Sequence, residues 1–243
     1  MLTINSKTWK FISHVAHGGR AIPNNGETPV WEPFLMVYKD QLVLYYSDQR
    51  DPKYGQKLVH VTTKDLYNWS SVVNDVTAPQ YSQRPGMTTV AQLPNGKYLM
   101  TYEYGGAPDV SFAVYYKIAD SPLEFEKVNG TVIKASNDGS IPVGSPYVVW
   151  TEAGGPQGTL VVSSGGSTKL WLNKKLGDKS AWTAVDTKER TSYTRSLTVL
   201  PDRKDILIAG GGLLPPNNNT YVDAGVISVD QSFKAPANTC QKA

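Results

Sequence analysis

Two glutamates occupy matching corners of neighbouring segments of the sequence. Glu32 lies in Val30-Trp31-Glu32-Pro33-Phe34-Leu35 and Glu103 lies in Tyr102-Glu103-Tyr104-Gly105-Gly106, each at the edge of a strand-like run beside aromatic and turn residues. If the two segments are equivalent repeats around an axis, both carboxyl groups face one central pocket. Two carboxyl groups that flank a glycosidic bond, one as acid and one as base, can cleave it. The pair therefore indicates acid–base chemistry on a sugar.

The elements that must position these glutamates form four repeats along the chain. The repeats begin near residues 30, 84, 141 and 193, and each reads as a strand, a short turn, a second strand and then outer strands. Helical periodicity is nearly absent. Four strands per repeat of about 50 residues is typical of a β-propeller. A β-sandwich with a similar number of strands would not explain this regular register.

The pattern also predicts where the outer strands and the chain ends belong. Outer strands are expected at residues 57–63 and around 69–73, at 112–119 and around 125–128, and at 169–175 and 182–185. Residues 8–15 resemble the closing outer strand of a preceding blade, and Tyr221 to Val229 supplies one more strand. We therefore expect residues 1–243 to form a single incomplete all-β propeller domain of about four blades, with 1–29 as the remnant of an earlier blade.

In a propeller, the starts of the first strands and the ends of the second strands meet around one end of the central channel. The positions that this rule collects include two carboxylates, several guanidinium groups and aromatic rings. We take Glu32 and Glu103 as the candidate catalytic residues. The candidate substrate-binding residues are Trp31, Asp48, Arg50, Arg84, Tyr104, Tyr193 and Arg195.

Composition excludes several other functions. The net charge of +3 is small and evenly spread, so we expect neither a nucleic-acid nor a membrane partner. The histidines His14, His17 and His60 and the single cysteine, Cys240, match no metal-ligand spacing, so no metal is expected. No glycine-rich phosphate loop precedes a helix, and no nucleotide or other cofactor is expected.

The N-terminal sequence and the sequons bear on location. Residues 1–7 contain no apolar core, so they do not form a signal peptide. Three N-glycosylation sequons begin at Asn68, Asn129 and Asn218, and they permit secretion without requiring it. The lone cysteine allows no intrachain disulfide.

Further motifs follow one another in order along the chain. They are Tyr46-Ser47-Asp48-Gln49-Arg50-Asp51, Gly55-Gln56-Lys57-Leu58-Val59-His60, Arg84-Pro85-Gly86-Met87 and Ile118-Ala119-Asp120-Ser121-Pro122-Leu123. Together with the two glutamate motifs, they resemble the fungal exo-arabinanases of glycoside hydrolase family 93. The resemblance covers most of the chain and is densest from Pro29 to Gly106.

The resemblance implies a six-bladed, sialidase-like propeller that acts on linear 1,5-α-L-arabinan. It implies retaining hydrolysis that releases arabinobiose from the non-reducing end, with Glu32 as general acid/base and Glu103 as nucleophile. It also implies an extracellular monomer whose partner is a plant cell-wall polysaccharide. Relatives carry a secretion signal and further blades before the segment that matches residues 8–15, so we expect this chain to be N-terminally truncated.

These roles carry physical expectations. Arg84 is expected to lower the pKa of the Glu103 carboxyl, because a neighbouring cation favours the ionised form. The apolar setting of Trp31 and Pro33 is expected to keep Glu32 protonated. In a retaining enzyme the two carboxyl groups lie ~5–5.5 Å apart.

Two alternatives remain open from the sequence. A sialidase-type glycosidase on the same fold would need an arginine cluster and a tyrosine nucleophile backed by a glutamate. Arg84 and Arg195 fit this loosely, but the early Arg-Ile-Pro type of motif is not seen. The second alternative is a catalytically inactive propeller that binds sugar or protein.

Overall fold

The computed structural model describes residues 7–187, 189–214 and 220–229, whose regular secondary structure is almost entirely antiparallel β-sheet. The first sheet contains β1 (Val30–Tyr38), β2 (Gln41–Asp48), β3 (Lys57–Thr63) and β4 (Val73–Val76). The second contains β5 (Arg84–Gln92), β6 (Tyr98–Gly105), β7 (Ala113–Ala119) and β8 (Thr131–Val132). The third contains β9 (Tyr147–Thr151), β10 (Thr159–Ser163), β11 (Lys169–Asn173) and β12 (Trp182–Asp186). The fourth contains β13 (Arg195–Val199), β14 (Asp205–Gly210) and β15 (Asp223–Ser228).

The strands of each sheet are hydrogen-bonded in the order in which they follow along the chain, as in the blades of a propeller. Short turns make this meander possible. Lys39, in the turn between β1 and β2, has φ +53°, and Gly96, in the turn between β5 and β6, has φ +82°. The predicted all-β propeller arrangement with about four blades is confirmed.

The hydrophobic core lies between consecutive sheets rather than within one of them. Tyr45 of the first sheet packs with Met100 of the second, and Leu99 of the second packs in a cluster with Trp171 of the third. A further cluster joins Leu170 of the third sheet to Ile206 of the fourth. Each inner sheet is therefore apolar on both faces, and its strands are buried along most of their length.

The outer strands depart from the sequence prediction in two blades. The strand expected around residues 69–73 begins only at Val73, and the strand expected around 125–128 is replaced by a 3₁₀ turn at Phe125–Lys127, followed by β8. Phe125 is fully buried in the core between the first two sheets. A tight turn can place a single side chain in the core as well as a strand can. An apolar residue near a blade edge therefore does not specify an extended backbone.

The expected strand at residues 8–15 is also absent. Residues 7–29 contain an isolated bridge residue at Lys10 but no strand. The segment is held by side chains instead, since Ser13 Oγ donates to the Leu66 carbonyl oxygen (2.6 Å) and accepts from Trp69 Nε1 (3.1 Å). Cys240 and most of the third sequon lie outside the described residues.

Asp65 has the structural role predicted for it. Its carboxylate accepts hydrogen bonds from the backbone N–H groups of Tyr67 (2.9 Å) and Asn68 (2.8 Å). These bonds keep the pKa of Asp65 well below its usual range and close the turn that follows β3.

The first strands of three blades share a local irregularity at the same end of the molecule. The register of β1 shifts between Trp31 and Phe34, and that of β5 shifts between Gly86 and Thr89. Non-glycine residues at these positions and just before β9 have positive φ: Glu32 (58°), Met87 (56°) and Ser145 (42°). Such bulges bend a strand and redirect its side chains and N–H groups. Within the described residues, no helix is long and apolar enough to cross a membrane.

Candidate active site

A cavity of about 810 Å³ opens at the end of the sheets where these irregular strand starts meet. Its size lies within the range of ligand-binding pockets. The lining includes Trp31, Glu32, Arg84, Glu103 and Tyr193, five of the residues selected from the sequence. The other lining residues are Pro23, Gln56, Phe112, Val143, Gly144, Ser145, Gly165, Gly166, Leu213 and Leu214.

The two glutamate carboxyls face each other across Gly86. A Cβ atom placed on Gly86 would lie 3.3 Å from Glu32 Oε2 and 3.5 Å from Glu103 Oε1. These two oxygens are therefore no more than about 7 Å apart, a bound that includes the ~5–5.5 Å separation of a retaining pair. The absence of a side chain at Gly86 leaves the space between the carboxyls open.

Glu32 is held by two hydrogen bonds from different blades. Ser47 Oγ on β2 donates to Glu32 Oε2 (2.7 Å), and the backbone N–H of Met87 on β5 donates to the same oxygen (2.8 Å). Burial raises the pKa of Glu32 above its ordinary value, while these two bonds and the charge of Arg84 oppose the rise. The positive φ of Glu32 accompanies the bulge in β1, and strain of this kind is typical of functional sites.

Glu103 receives less support. The backbone N–H of Ser145 donates to Glu103 Oε2 (2.7 Å) and is its one hydrogen-bond donor among the described residues. Burial raises the pKa of Glu103 to about 7, and the negative charge of Glu32 adds to the rise. Arg84 lowers the pKa as expected from the sequence, but burial outweighs it. The expectation of an acidic Glu103 beside Arg84 is therefore wrong.

Two buried glutamines hold Arg84, and one of them also binds Trp31. Gln49 Oε1 accepts from Trp31 Nε1 (2.8 Å) and from Arg84 Nη2 (2.8 Å). Gln56 Oε1 also accepts from Arg84 Nη2 (3.0 Å), and Arg84 Nη1 donates to the carbonyl oxygen of Pro23. The Arg84 guanidinium thus has a fixed orientation at the wall of the cavity.

Four predicted substrate-binding residues do not line this cavity. Asp48 and Arg50 form a two-point ion pair with each other, with Nε–Oδ1 and Nη2–Oδ2 distances of 2.8 Å. Arg195 is 1% exposed and donates from Nη2 to the Lys169 carbonyl oxygen (2.7 Å). Tyr104 follows Glu103 on β6, and because side chains alternate it points to the opposite face, where its ring packs 5.2 Å from that of Tyr115.

Sequence reasoning missed Gln56 and Phe112 as lining residues. Gln56 immediately precedes β3, and Phe112 immediately precedes β7. The rule used only the starts of first strands and the ends of second strands, yet third strands begin at the same end of an antiparallel blade. Adding the start of each third strand to the rule would have identified both residues.

The remaining walls are apolar. Phe112, Tyr193 and Leu214 are exposed by 45%, 42% and 55% and line the cavity with Trp31. Flat aromatic faces beside polar groups suit the stacking of sugar rings. Burial, with the charges of Glu32 and Glu103, raises the pKa of the Tyr193 phenol. In the residues that the structure describes, no cluster of three His, Cys, Asp or Glu could hold a metal ion.

Comparison with solved structures identifies close relatives of this fold. A GH93 α-L-arabinofuranosidase of Fusarium graminearum in complex with arabinobiose is 48% identical, with a TM-score of 0.91 over 93% of this chain and 66% of that chain. A Fusarium α-L-arabinofuranosidase with an iminosugar inhibitor has 48% identity and a TM-score of 0.92 over 95% of this chain and 67% of its own. A Penicillium chrysogenum α-L-arabinanase with arabinobiose has 44% identity and a TM-score of 0.90 over 94% of this chain and 66% of its own.

This chain therefore spans about two thirds of the length of these relatives. No protein-family model matches the sequence, and no curated protein matches it.

Proposed function

This chain belongs to glycoside hydrolase family 93, and from that membership we propose that the protein hydrolyses linear 1,5-α-L-arabinan with Glu32 and Glu103 as its catalytic pair. The observation that carries the proposal is the placement of both carboxyls on either side of Gly86 in one large cavity. The arabinobiose bound by two relatives supports an arabinose-based substrate.

We assign the general acid/base role to Glu32 and the nucleophile role to Glu103, as the family resemblance implies. Burial raises the pKa of both carboxyls, and two carboxyls this close share one proton over a range of pH. The Ser145 N–H bond and the charge of Arg84 favour the ionised form of Glu103, as a nucleophile requires, while burial favours the protonated form of Glu32, as a general acid requires.

The proposed reaction retains the configuration of the sugar. Glu32 gives its proton to the glycosidic oxygen while the Glu103 carboxylate attacks the anomeric carbon, which breaks the glycosidic bond and forms a glycosyl ester on Glu103. Glu32, now ionised, takes a proton from a water molecule. That water attacks the anomeric carbon, and the ester bond breaks to free Glu103 as a carboxylate.

We further propose that the product is arabinobiose released from the non-reducing end. The cavity is large enough for more than one sugar ring, and its aromatic walls Trp31, Phe112 and Tyr193 offer stacking surfaces beside the carboxyls. A sialidase-type reaction receives less support, because Arg195 lies buried outside this cavity and leaves Arg84 alone of the two arginines proposed for that cluster.

The test is product analysis after incubation of the 243-residue chain with linear 1,5-arabinan. We expect arabinobiose from the parent chain and none from Glu32→Gln or Glu103→Gln. A folded chain that binds arabino-oligosaccharides without turnover would refute hydrolysis and favour an inactive sugar-binding propeller.

A second experiment separates the two roles. In a Glu103→Ala variant, added azide is expected to restore turnover by attacking the anomeric carbon directly, giving a glycosyl azide of inverted configuration. In Glu32→Ala, azide is expected to give the retained glycosyl azide by attacking the Glu103 ester. The opposite pairing of variant and product configuration would reverse the two roles.

A further inference from the structure

The charge of Arg84 lowers the pKa of both glutamate carboxyls, yet its own hydrogen-bond partners are neutral. Within the part of the chain that the structure describes, its guanidinium donates to the amide oxygens of Gln49 and Gln56 and to the backbone carbonyl of Pro23. Arginine ordinarily pairs with carboxylates in two-point contacts, as Arg50 does here with Asp48. The two arginines are therefore held by chemically different partners.

A neutral partner has an electrostatic consequence. An amide oxygen fixes the guanidinium without cancelling its charge, whereas a carboxylate would neutralise it. The positive charge of Arg84 consequently acts on Glu32 and Glu103 and lowers the pKa of both carboxyls. Burial strengthens this field, because the local dielectric is low.

The glutamines are themselves fixed in position. Gln49 and Gln56 are 4% and 5% exposed. Gln49 Nε2 donates to the Asn24 carbonyl oxygen (3.1 Å), and Gln56 Nε2 donates to the Pro85 carbonyl oxygen (2.8 Å). These bonds orient both amides so that their oxygens point at Arg84, an arrangement that a glutamate could not reproduce, since it lacks the N–H donor.

We propose that Gln49 and Gln56 are positioning residues that hold Arg84 as an unneutralised cation beside Glu32 and Glu103, and thereby set the pH range in which the pair works. Gln49 also accepts a hydrogen bond from the Trp31 indole, so one residue positions both the Arg84 charge and an aromatic ring of the cavity wall. The effect on the pH range of hydrolysis rests on the proposed function. The effect of the Arg84 charge on the two pKa values does not depend on it.

The ionisable groups around the cluster come from several strands. Glu32 faces it from β1, Glu103 from β6, and the Tyr193 phenol from the segment before β13. Asp48, which precedes Gln49, is already paired with Arg50. Among these groups, Glu32 and Glu103 are the ones whose pKa the charge of Arg84 lowers.

Two kinds of substitution are expected to move the pKa values in opposite directions. In Gln49→Glu or Gln56→Glu a carboxylate pairs with Arg84, and the pKa of Glu103 rises by roughly one as the cationic field is lost. In the double variant Gln49→Met/Gln56→Met the guanidinium is released, turns towards the nearest carboxylate and lowers its pKa. A merely structural role for the glutamines would predict lower stability with unchanged pKa values.

The measurement is a pH titration of the Glu32 and Glu103 side chains by NMR in the full chain labelled at the glutamate carboxyl carbon, with the signals assigned from Glu32→Gln and Glu103→Gln. The pH profile of kcat/KM on arabinan is recorded alongside. Gln92→Glu is the matched control, since it makes the same change at the exposed far end of β5 from Arg84.

Opposite shifts in the two kinds of variant support the proposal. Titration curves that superimpose on the parent in folded Gln56→Glu and Gln49→Glu would overturn it, as would an equal shift in Gln92→Glu. Because NMR needs no turnover, shifts of the expected sign in a chain that leaves arabinan intact would uphold the positioning role while refuting the proposed reaction.

Discussion

Gly86 shows how one missing side chain can leave space between two carboxyls. Glu32 Oε2, Glu103 Oε1 and Gln56 Nε2 all lie within 3.5 Å of where its Cβ would be. We expect Gly86→Ala to lower kcat/KM on linear arabinan by roughly 100-fold, since displacing reacting groups by about 1 Å has that effect. Gly211→Ala is the matched control, because its Cβ would meet open space. Equal losses in both variants would contradict a specific role for Gly86.

The raised pKa of Glu103 has a predictable effect on stability. Its folded pKa of about 7 lies above the ordinary value of 4.5, so the folded chain binds the extra proton between these values and loses stability as pH rises through them. Gln carries no charge and can still accept the Ser145 N–H bond. We therefore expect Glu103→Gln to raise the free energy of unfolding by about 2 kcal/mol at pH 8 and hardly at pH 4.

Urea titrations at these two pH values measure the effect. Gln157→Glu, at an exposed site, serves as a neutral reference for a change of charge. A pH-independent difference between Glu103→Gln and the parent chain would mean that Glu103 is not shifted.

At the residue scale, the sequence predicted the pair of carboxyls that the structure brings together, but not what tunes their pKa values. Glu32 and Glu103 were recognisable because a charged residue at the same corner of two apolar repeats is unusual. Apart from Ser47 Oγ, which donates to Glu32, their hydrogen-bond donors come from the next blade, through the backbone of Met87 and Ser145. A backbone N–H leaves no trace in residue type, so this part of the site could not be predicted.

At the scale of the element, a residue with positive φ recurs at the start of the inner strand of successive blades. The N–H of Met87 in the second blade binds Glu32 of the first, and the N–H of Ser145 before the third blade binds Glu103 of the second. Each of these two residues thus holds the carboxylate of the preceding blade. The positive φ at these positions is the local cost of aiming the N–H groups.

The left-handed backbone at Ser145 can be tested by two substitutions of opposite character. Ser145→Gly keeps the N–H group and suits φ +42°, so activity is expected to stay near that of the parent. Ser145→Val places a β-branched residue in the left-handed region, which costs roughly 1–2 kcal/mol, and should displace the N–H from Glu103. Thermal unfolding measures the stability of both variants, and kcat/KM measures their activity. A Ser145→Val variant with the activity of the parent would show that this backbone conformation is not required.

The inner strands were predicted well, and the outer ones less well, for a physical reason. Inner strands such as β6 and β10 are buried on both sides, so their sequences are almost continuously apolar. Outer strands contact one neighbour and bury few side chains. At that edge a single anchor such as Phe125 satisfies the core without an extended backbone, and pattern alone cannot locate the strand.

At the scale of the whole molecule, each sheet is stabilised by its neighbours, and the first and last sheets each have a face with fewer partners. Leu35 and Val37 of β1 are 54% and 74% exposed, while Phe34 and Met36, which alternate with them along the strand, pack on the second sheet. Val226 of β15 is 41% exposed. Apolar side chains gathered on a sheet surface favour association with another surface.

We therefore expect the isolated chain to bind a hydrophobic dye and to self-associate at high protein concentration through the face that carries Leu35 and Val37. Replacing both by Lys puts charge on that face while leaving Phe34 and Met36 in the core, so dye binding and association should fall several-fold with little loss of stability. Sedimentation velocity at several concentrations measures this. Tyr67→Lys, at an exposed loop position, is the control. A parent chain that stays monomeric and binds no more dye than the double variant would show that the face carrying Leu35 and Val37 does not drive association.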